Sequence, residues 1–291
     1  MAFISEDQIE RALVQKLQHL HGFDALICHT ANPEDLNDGS GRTNKREVIL
    51  LDRLRTAARR LNPTLPAQAI EDALERLTDR RLALSLVAAN EEVYHLLRDG
   101  VPVEFDDAQG HCQQERVKVI DFDDPARNDY LAVTQLWIQG SKGFRRPDLL
   151  LYVNGLPLVF IELKNSNVSL RTAYDDNLTT YRAEIPQLFH TNAFCVLSNA
   201  LETRVGSLTA DWEHFFQWLR AGDEKEPLDR DAIREQGTST ERVVSGLLAP
   251  ERLLDYSRIS SSSTEARARS SRRTTSSWAS IGRSIGLLKN G

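Results

Sequence analysis

The middle of the chain holds two short hydrophobic runs, Leu149–Val153 and residues 156–161, separated by the pair Asn154-Gly155. Each run is shorter than a typical helix and too continuously apolar for a half-exposed strand, which predicts two buried strands. Asn-Gly between two such runs is the strongest short-range signal for a tight hairpin turn. The pattern therefore predicts a buried β-hairpin whose faces are covered by helices.

Other apolar patterns place helices and strands around this hairpin. Ser5 followed by two acidic residues predicts an N-cap and a helix to about Leu20. Residues 46–99 are predicted to be helical, with breaks at two prolines. Further strands are predicted at residues 24–30, 101–105, 115–120, 130–138 and 193–198. A predicted helix at 171–185 precedes the last strand, which is therefore expected to run parallel to its neighbour in a mixed α/β sheet.

Charged residues occur where the predicted hairpin strands begin and end. Asp148 starts the first strand, and Glu162 and Lys164 end the second on one face, because side chains alternate along a strand. The turn brings Asp148 back toward Glu162, and two converging carboxylates cost several kcal/mol unless something compensates them. Mg²⁺ can compensate this cost, because it binds one or two carboxylates and keeps several waters. An ordinary hairpin that ends in a surface Glu-Lys pair remains the alternative.

The spacing of these residues resembles a known nuclease signature. Pro147-Asp148, thirteen residues, and then Glu162-x-Lys164 on adjacent strands is similar to the PD-(D/E)xK pattern. From about Phe3 to about Tyr256 the chain resembles the N-terminal part of the restriction (R) subunit of Type I restriction-modification enzymes. The segments that carry the resemblance are residues 146–148 (RPD), 154–158 (NGLPL), 161–165 (IELKN), 181–189 (YRAEIPQLF) and 204–209 (RVGSLT).

This resemblance implies a restriction-endonuclease-like fold in which Asp148 and Glu162 bind Mg²⁺ and Lys164 is the catalytic lysine. It also implies auxiliary residues. Glu10 is either a surface carboxylate of the first helix or a glutamate leaning over the metal site. Asn177 and Tyr181 share one helix face, four residues apart. The family pattern there is Gln-x-x-x-Tyr, and the shorter Asn177 side chain puts its contact with the site or with DNA in doubt.

Composition is that of an ordinary soluble globular protein, with 41% hydrophobic and 27% charged residues among 291. No apolar run approaches the roughly 18 residues of a membrane span, and residues 1–8 lack a signal-peptide pattern. Cys28, Cys112 and Cys195 lie far apart without a CxxC partner. They are interpreted as reduced core thiols of a cytoplasmic protein.

The net charge of −6 conceals a division within the chain. Residues 257–291 carry six Arg, one Lys and one Glu, a charge of +6 that leaves −12 for the remainder. An acidic body suits DNA binding poorly, so either other parts of a larger complex deliver DNA or the chain binds it weakly. Local phosphate contacts are expected from basic residues near the signature: Lys142, Arg145, Arg146, Arg171 and Arg182.

The chain is divided into three regions by these patterns. Residues 1–225 are assigned to the nuclease domain, with 46–99 as a helical insertion, and 226–256 to linker helices. Residues 257–291 are rich in Ser and Arg and are predicted to be disordered, a tail that we hypothesise to be out of frame. The glycine-rich stretch 39–45 does not match the Walker A spacing, so 31–44 is predicted to be a mobile surface loop. ATP would act only through motor domains that this chain lacks.

The leading hypothesis is therefore a Mg²⁺-dependent DNA endonuclease domain that works with methylation and specificity subunits. The alternative is a non-catalytic assembly module, or an inactive truncated remnant, that docks to those subunits. A third possibility is a PD-(D/E)xK fold that serves RNA or repair chemistry.

Overall fold

The computed structural model describes residues 4–219 and 239–260. Within these residues the helices are α1 (Glu6–His21), α2 (Leu51–Leu61), α3 (Ala67–Thr78), α4 (Leu86–Asp99), α5 (Leu170–Thr172), α6 (Thr179–Glu184), α7 (Ser239–Gly246) and α8 (Pro250–Ser260). Helix α1 begins with the predicted N-cap, a capping box between Ser5 and Gln8. A π-helical turn, Ala173–Leu178, joins α5 to α6, so the helix predicted there is continuous but locally widened.

The strands form one central sheet and two small ribbons. They are β1 (Asp24–Ile27), β2 (Val101–Asp106), β3 (Cys112–Val117), β4 (Tyr130–Thr134), β5 (Ile138–Gly140), β6 (Gly143–Arg145), β7 (Leu149–Val153), β8 (Leu156–Leu163), β9 (Phe194–Ser198), β10 (Thr203–Gly206) and β11 (Phe216–Gln217). The central sheet has the order β1-β4-β7-β8-β9-β10-β11. Two pairs, β1–β4 and β8–β9, are parallel, and the other pairs are antiparallel. The predicted α/β fold with a mixed central sheet flanked by helices is confirmed.

The predicted hairpin is β7 and β8, in the middle of the sheet. Asn154 and Gly155 connect them, both with positive φ (51° and 80°), as a type I′ turn requires. The turn is buried because it packs on the start of α2: a Cβ on Gly155 would lie 2.4 Å from the carbonyl oxygen of Leu50. The Leu50 amide donates to the Gly155 carbonyl at 2.9 Å. The hairpin is therefore fixed at its turn by a neighbouring helix.

Both faces of the hairpin are covered by apolar residues. Alternate residues of β7 belong to two cores, one containing Leu149 and Leu151 and the other containing Leu150 and Tyr152. The first core includes residues of α1, and the second includes Tyr181 of α6. The carboxyl end of β8 consequently lies between α1 on one face and the α5–α6 segment on the other.

The strand predicted at 130–138 is too long, because the chain breaks at Gln135. Gln135 has φ 58°, in the left-handed region, and its amide donates to the Asp148 carbonyl oxygen at 3.1 Å. The chain then leaves the central sheet and pairs as β5 with β6. This break places residues 135–137 beside the start of β7.

Two further predictions are corrected in the β2–β3 ribbon, which is separate from the central sheet. The second strand begins and ends earlier than predicted, at Cys112–Val117, and Val119 and Ile120 are buried outside it. Cys112 is exposed, so the interpretation of all three cysteines as core thiols is wrong for this one. Cys28 and Cys195 are buried, and all three thiols are free.

The segment predicted to be a mobile surface loop carries a buried ionic cluster, the Asp38 cluster, formed by Asp38, Arg42 and Lys45. These residues are only 4%, 6% and 4% exposed. Arg42 Nη2 and Lys45 Nζ each lie 2.8 Å from Asp38 Oδ2. Burial alone would raise the pKa of Asp38, but hydrogen bonds from Lys45, Ser40 and Arg42 hold it well below its usual range. Mutual pairing lets a loop without regular structure enter the interior.

Most of the predicted disordered tail, and the first part of the predicted linker helices, lie outside the described residues, which exclude 220–238 and 261–291. Residues 257–260, assigned to the tail from sequence, complete α8. In the segment after β10, Phe215 and Trp218 are buried in the two hydrophobic cores. Among the described helices none combines the length and apolarity needed to cross a membrane.

A candidate metal centre at the end of the hairpin

Asp148 and Glu162 face each other across the hairpin. Leu149 pairs with Ile161, so the flanking residues Asp148 and Glu162 are opposite one another on the same face. Glu162 is 1% exposed, whereas Asp148 is partly buried. The Leu163 amide donates to Asp148 Oδ2 at 2.8 Å, which fixes one oxygen of that carboxylate. The structure thus brings the two acids together at one end of adjacent central strands.

Lys164 completes this group. Its Nζ donates to Glu162 Oε1 at 3.1 Å with the side chain 14% exposed, and its amide donates to the Ser198 carbonyl at 2.8 Å. The lysine is therefore anchored by backbone pairing with β9, and its ammonium group lies between Glu162 and the surface.

One carboxylate oxygen of Glu162 has no partner. Glu162 Oε2 is buried and accepts no hydrogen bond from the described residues. Leaving such an atom unsatisfied costs about 1–3 kcal/mol, so it marks a place where a ligand is favoured. Paired carboxylate oxygens fit Mg²⁺, which takes one or two carboxylates and retains waters. Within residues 4–219 and 239–260, no set of three or more His, Cys, Asp or Glu side chains is arranged to hold a metal ion.

Burial raises the pKa of both acids. Burial raises the pKa of Asp148 to about 6, against the Leu163 amide and the charge of Lys164, which lower it. Burial raises the pKa of Glu162 well above its ordinary value, and the charge of Asp148 adds to this effect. Two ionised carboxylates here are therefore costly until a cation joins them.

Two acids of α1 lie beside this pair. Glu10 Oε2 accepts a hydrogen bond from Gln135 Nε2 at 2.6 Å; burial raises the pKa of Glu10, and the charge of Asp148 raises it further. Glu6 Oε1 accepts from the Asn165 amide at 3.2 Å, and its charge raises the pKa of both Asp148 and Glu162. Glu6 was not among the site residues predicted from sequence, although its position four residues before Glu10 puts both on one helix face. No sequence pattern predicted that Gln135 would contact Glu10.

Tyr181 and Asn177 approach the site from the opposite face. The Tyr181 hydroxyl donates to the Arg146 carbonyl oxygen at 3.3 Å. Burial raises the pKa of Tyr181, the charge of Glu162 raises it further, and the Asn177 side chain lowers it. Asn177 lies in the π-helical turn and acts on the Tyr181 hydroxyl, which in turn holds the backbone two residues before Asp148.

The basic residues expected to contact DNA differ in their surroundings. Arg145 pairs with Glu184, and Arg171 Nε lies 2.9 Å from Asp175 Oδ2. Arg182 packs over the Tyr174 ring with two of its guanidinium nitrogens buried. Lys142 is exposed, and the guanidinium of Arg146 lies over the Trp137 ring.

The raised pKa of Asp148 predicts how stability depends on pH. Because folding raises this pKa from 3.8 to about 6, its stabilising contribution is complete below 3.8 and is lost as the pH rises through about 6. The raised pKa of Glu162 acts in the same direction. We expect the free energy of unfolding in EDTA, followed by urea titration, to fall as the pH rises from about 4 to about 6. The variant Asp148→Asn should show a flatter profile; equal slopes for both proteins would contradict the assignment.

Known proteins resemble this chain over most of its length. Residues 3–214 match the family model described as Type I restriction enzyme R protein N terminus. The Type I restriction enzyme HindI endonuclease subunit of Haemophilus influenzae is 36% identical over 262 residues, 88% of this chain and 24% of that protein. The MjaIXP endonuclease subunit of Methanocaldococcus jannaschii is 30% identical over 271 residues, 88% of this chain and 25% of that protein. The chain thus spans about a quarter of the length of these curated relatives.

Proposed function

The chain belongs to the family of Type I restriction enzyme R protein N termini, and from this membership we propose that it is the Mg²⁺-dependent DNA endonuclease domain of such an R subunit. The observation that carries the proposal is the pairing of Asp148 with Glu162, whose buried Oε2 has no partner, beside the ammonium group of Lys164. We further propose that the fold is that of the PD-(D/E)xK nucleases. The central hairpin with an acid at its start and Glu-x-Lys at its end supports this assignment.

Asp148 and Glu162 are the proposed ligands of the cation. Glu162 would contribute the unpartnered Oε2, and Asp148 the oxygen that the Leu163 amide does not occupy. When bound, a divalent cation supplies positive charge to phosphate oxygens and lowers the pKa of water. Glu10 is a proposed auxiliary acid, because the charge of Asp148 lies close enough to raise the pKa of Glu10.

Lys164 is proposed to stabilise the charge that develops on the phosphate during hydrolysis. Its Nζ is held by Glu162 at 3.1 Å and keeps further N–H donors for a phosphate oxygen. The contact with Glu162 and the bond of the Lys164 amide to Ser198 limit how far the ammonium group can move. Tyr181, assisted by Asn177, is proposed to position the chain entering β7 through its bond to the Arg146 carbonyl.

The partners proposed for the chain are DNA and the methylation and specificity subunits of a Type I restriction-modification complex. Because this chain spans about a quarter of its curated relatives, ATP-driven translocation is assigned to motor domains outside these 291 residues. A net charge of −6 supports delivery of DNA by other parts of the complex. The same charge favours the competing hypothesis, a non-catalytic assembly module.

Metal binding and plasmid nicking test the proposal together. The purified chain should bind Mg²⁺ in isothermal titration calorimetry and nick supercoiled plasmid, alone or with the partner subunits. Asp148→Asn should lose Mg²⁺ binding, whereas Lys164→Ala should keep it and lose nicking. Failure of the unsubstituted chain to bind Mg²⁺ would refute the metal-dependent mechanism. Mg²⁺ binding without nicking, even with the partner subunits present, would favour the assembly module.

A further inference from the structure

The break in the sheet after β4 presents a tryptophan at the edge of the candidate site. Trp137 follows the left-handed Gln135 and is held at two points. Its Nε1 donates to the Thr30 carbonyl at 3.1 Å, and its own carbonyl accepts from Arg42 Nη2 at 3.0 Å. Because Arg42 belongs to the Asp38 cluster, the backbone of Trp137 is tied to a buried ionic group.

Arg146 rests on this tryptophan. Its guanidinium carbon lies 4.8 Å from the centroid of the Trp137 ring, and its Nη1 lies 3.2 Å from Nδ1 of His29. Its carbonyl oxygen accepts the hydrogen bond from Tyr181. In the described part of the chain, no carboxylate lies within ion-pairing distance of Arg146. By contrast, Arg145 and Arg171 are paired with Glu184 and Asp175.

The charge of Arg146 also acts on the acidic site. It lowers the pKa of Asp148 and that of Glu10, so the guanidinium group lies close enough to both for electrostatic interaction. A guanidinium group has five N–H donors in one plane, and the contact with His29 uses only one nitrogen. A guanidinium group that lies over an aromatic ring keeps its other N–H donors available to a ligand. A cation with free donors beside paired carboxylates is suited to an anionic ligand.

We propose that Arg146 binds a phosphate of the DNA backbone beside Asp148, and that Trp137 is the positioning residue that holds it there. Planar guanidinium groups match the two oxygens of a phosphate in a bidentate manner. The acids of the site repel a phosphodiester, and Arg146 offsets that repulsion at the point where the strand must enter. This inference rests on the proposed function, because the bound phosphate belongs to the DNA substrate.

The binding experiment uses a fluorescently labelled duplex of about 30 base pairs and anisotropy titrations in Mg²⁺ at several salt concentrations. The measurements are made on the Lys164→Ala background so that the duplex stays intact. Arg146→Gln should weaken binding about tenfold and reduce the slope of log affinity against log salt by about 1. Arg146→Lys should keep most of the slope but not the affinity, because a lysine lacks the planar fork. Arg80→Gln removes an exposed arginine between α3 and α4 and serves as the matched control.

The positioning role of Trp137 is tested by a double-mutant cycle. Trp137→Leu should weaken DNA binding when Arg146 is present and have no further effect in the Arg146→Gln variant. Trp137→Phe, which keeps an aromatic face, should restore most of the affinity. Additive losses, or equal losses with phenylalanine and leucine, would indicate a merely structural tryptophan and refute the positioning role.

Separate measurements distinguish failure of this inference from failure of the proposed function. Arg146→Gln should still bind Mg²⁺ in isothermal titration calorimetry, because it keeps both proposed ligands, Asp148 and Glu162. If Mg²⁺ binding and nicking persist in the unsubstituted chain while Arg146→Gln binds DNA like Arg80→Gln, the phosphate contact is refuted and the nuclease assignment stands. If the unsubstituted chain binds no Mg²⁺ but Arg146→Gln still lowers DNA affinity and salt slope, the metal-dependent nuclease assignment is refuted and the phosphate contact stands. No measurable binding of the duplex by the Lys164→Ala chain, which keeps Arg146, would also refute the contact.

Discussion

Replacing Glu162 with glutamine is expected to abolish plasmid nicking and to raise the melting temperature of the metal-free chain. The amide keeps the size of the side chain and can still accept from Lys164, but it cannot carry the charge that a cation requires. Nicking should fall by roughly 10³-fold or more, since the substitution removes a proposed metal ligand. Mg²⁺ binding measured by calorimetry should be lost with it.

The expected gain in stability follows from the burial of the same group. Glu162 is 1% exposed, its pKa is raised by burial and by the charge of Asp148, and Oε2 has no partner. Removing this charge relieves its repulsion with Asp148, which remains to offset the ammonium group of Lys164, and is expected to stabilise the metal-free fold by about 1–3 kcal/mol. For a domain of this size that raises the melting temperature by about 2–4 °C for each kcal/mol.

The control for this substitution is Glu115→Gln, an exposed glutamate of the β3 strand. It should leave nicking, Mg²⁺ binding and melting temperature unchanged. Thermal unfolding in EDTA followed by circular dichroism measures the stability of both variants. A lower melting temperature for Glu162→Gln than for Glu115→Gln would show that the site is not strained in the absence of metal.

The second large effect is expected from Asp38→Asn, which removes the only carboxylate of the Asp38 cluster. The side chains of Arg42 and Lys45 are 0% and 4% exposed, and both pair with Asp38 Oδ2. Without it two buried cations lie side by side, a loss that typically costs about 3–5 kcal/mol. The free energy of unfolding from urea titration should fall by that amount, because the loop cannot move these charges into water without leaving the interior.

The matched control is Asp255→Asn, at an exposed position of α8, where a change within about 0.5 kcal/mol is expected. If Asp38→Asn fell within the same range, the cluster would not stabilise the fold, and Arg42 would have an alternative partner.

The parts of the fold that sequence predicted are those specified by local chemistry. Asn154-Gly155 between two apolar runs specifies a type I′ turn, and Ser5 with Gln8 specifies the start of α1. The break at Gln135 was not predicted, because glutamine is not typical of the left-handed region. It is held there by tertiary contacts with Asp148 and Glu10.

In the candidate site, too, some residues follow from local sequence patterns and others depend on tertiary packing. Asp148, Glu162 and Lys164 follow from the alternation of side chains along paired strands. The positions of Glu6 and Trp137 beside the site depend on packing between segments that are distant in sequence. The burial of the Asp38 cluster depends on such packing as well, and no local sequence pattern predicts it. The polar composition of residues 31–44 suggested exposure, since the pairing of Asp38 with Arg42 and Lys45 cannot be read from the sequence before the loop is placed.

The central position of the hairpin has a consequence for the energetics of cation binding. β7 and β8 are the third and fourth of seven strands, hydrogen-bonded on both sides, and their turn is pinned by α2. The backbone that carries the two acids is therefore preorganised, and ligation requires little loss of conformational entropy. The repulsion between the acids is already present in the folded chain, so relief of that repulsion adds to the affinity for an incoming cation.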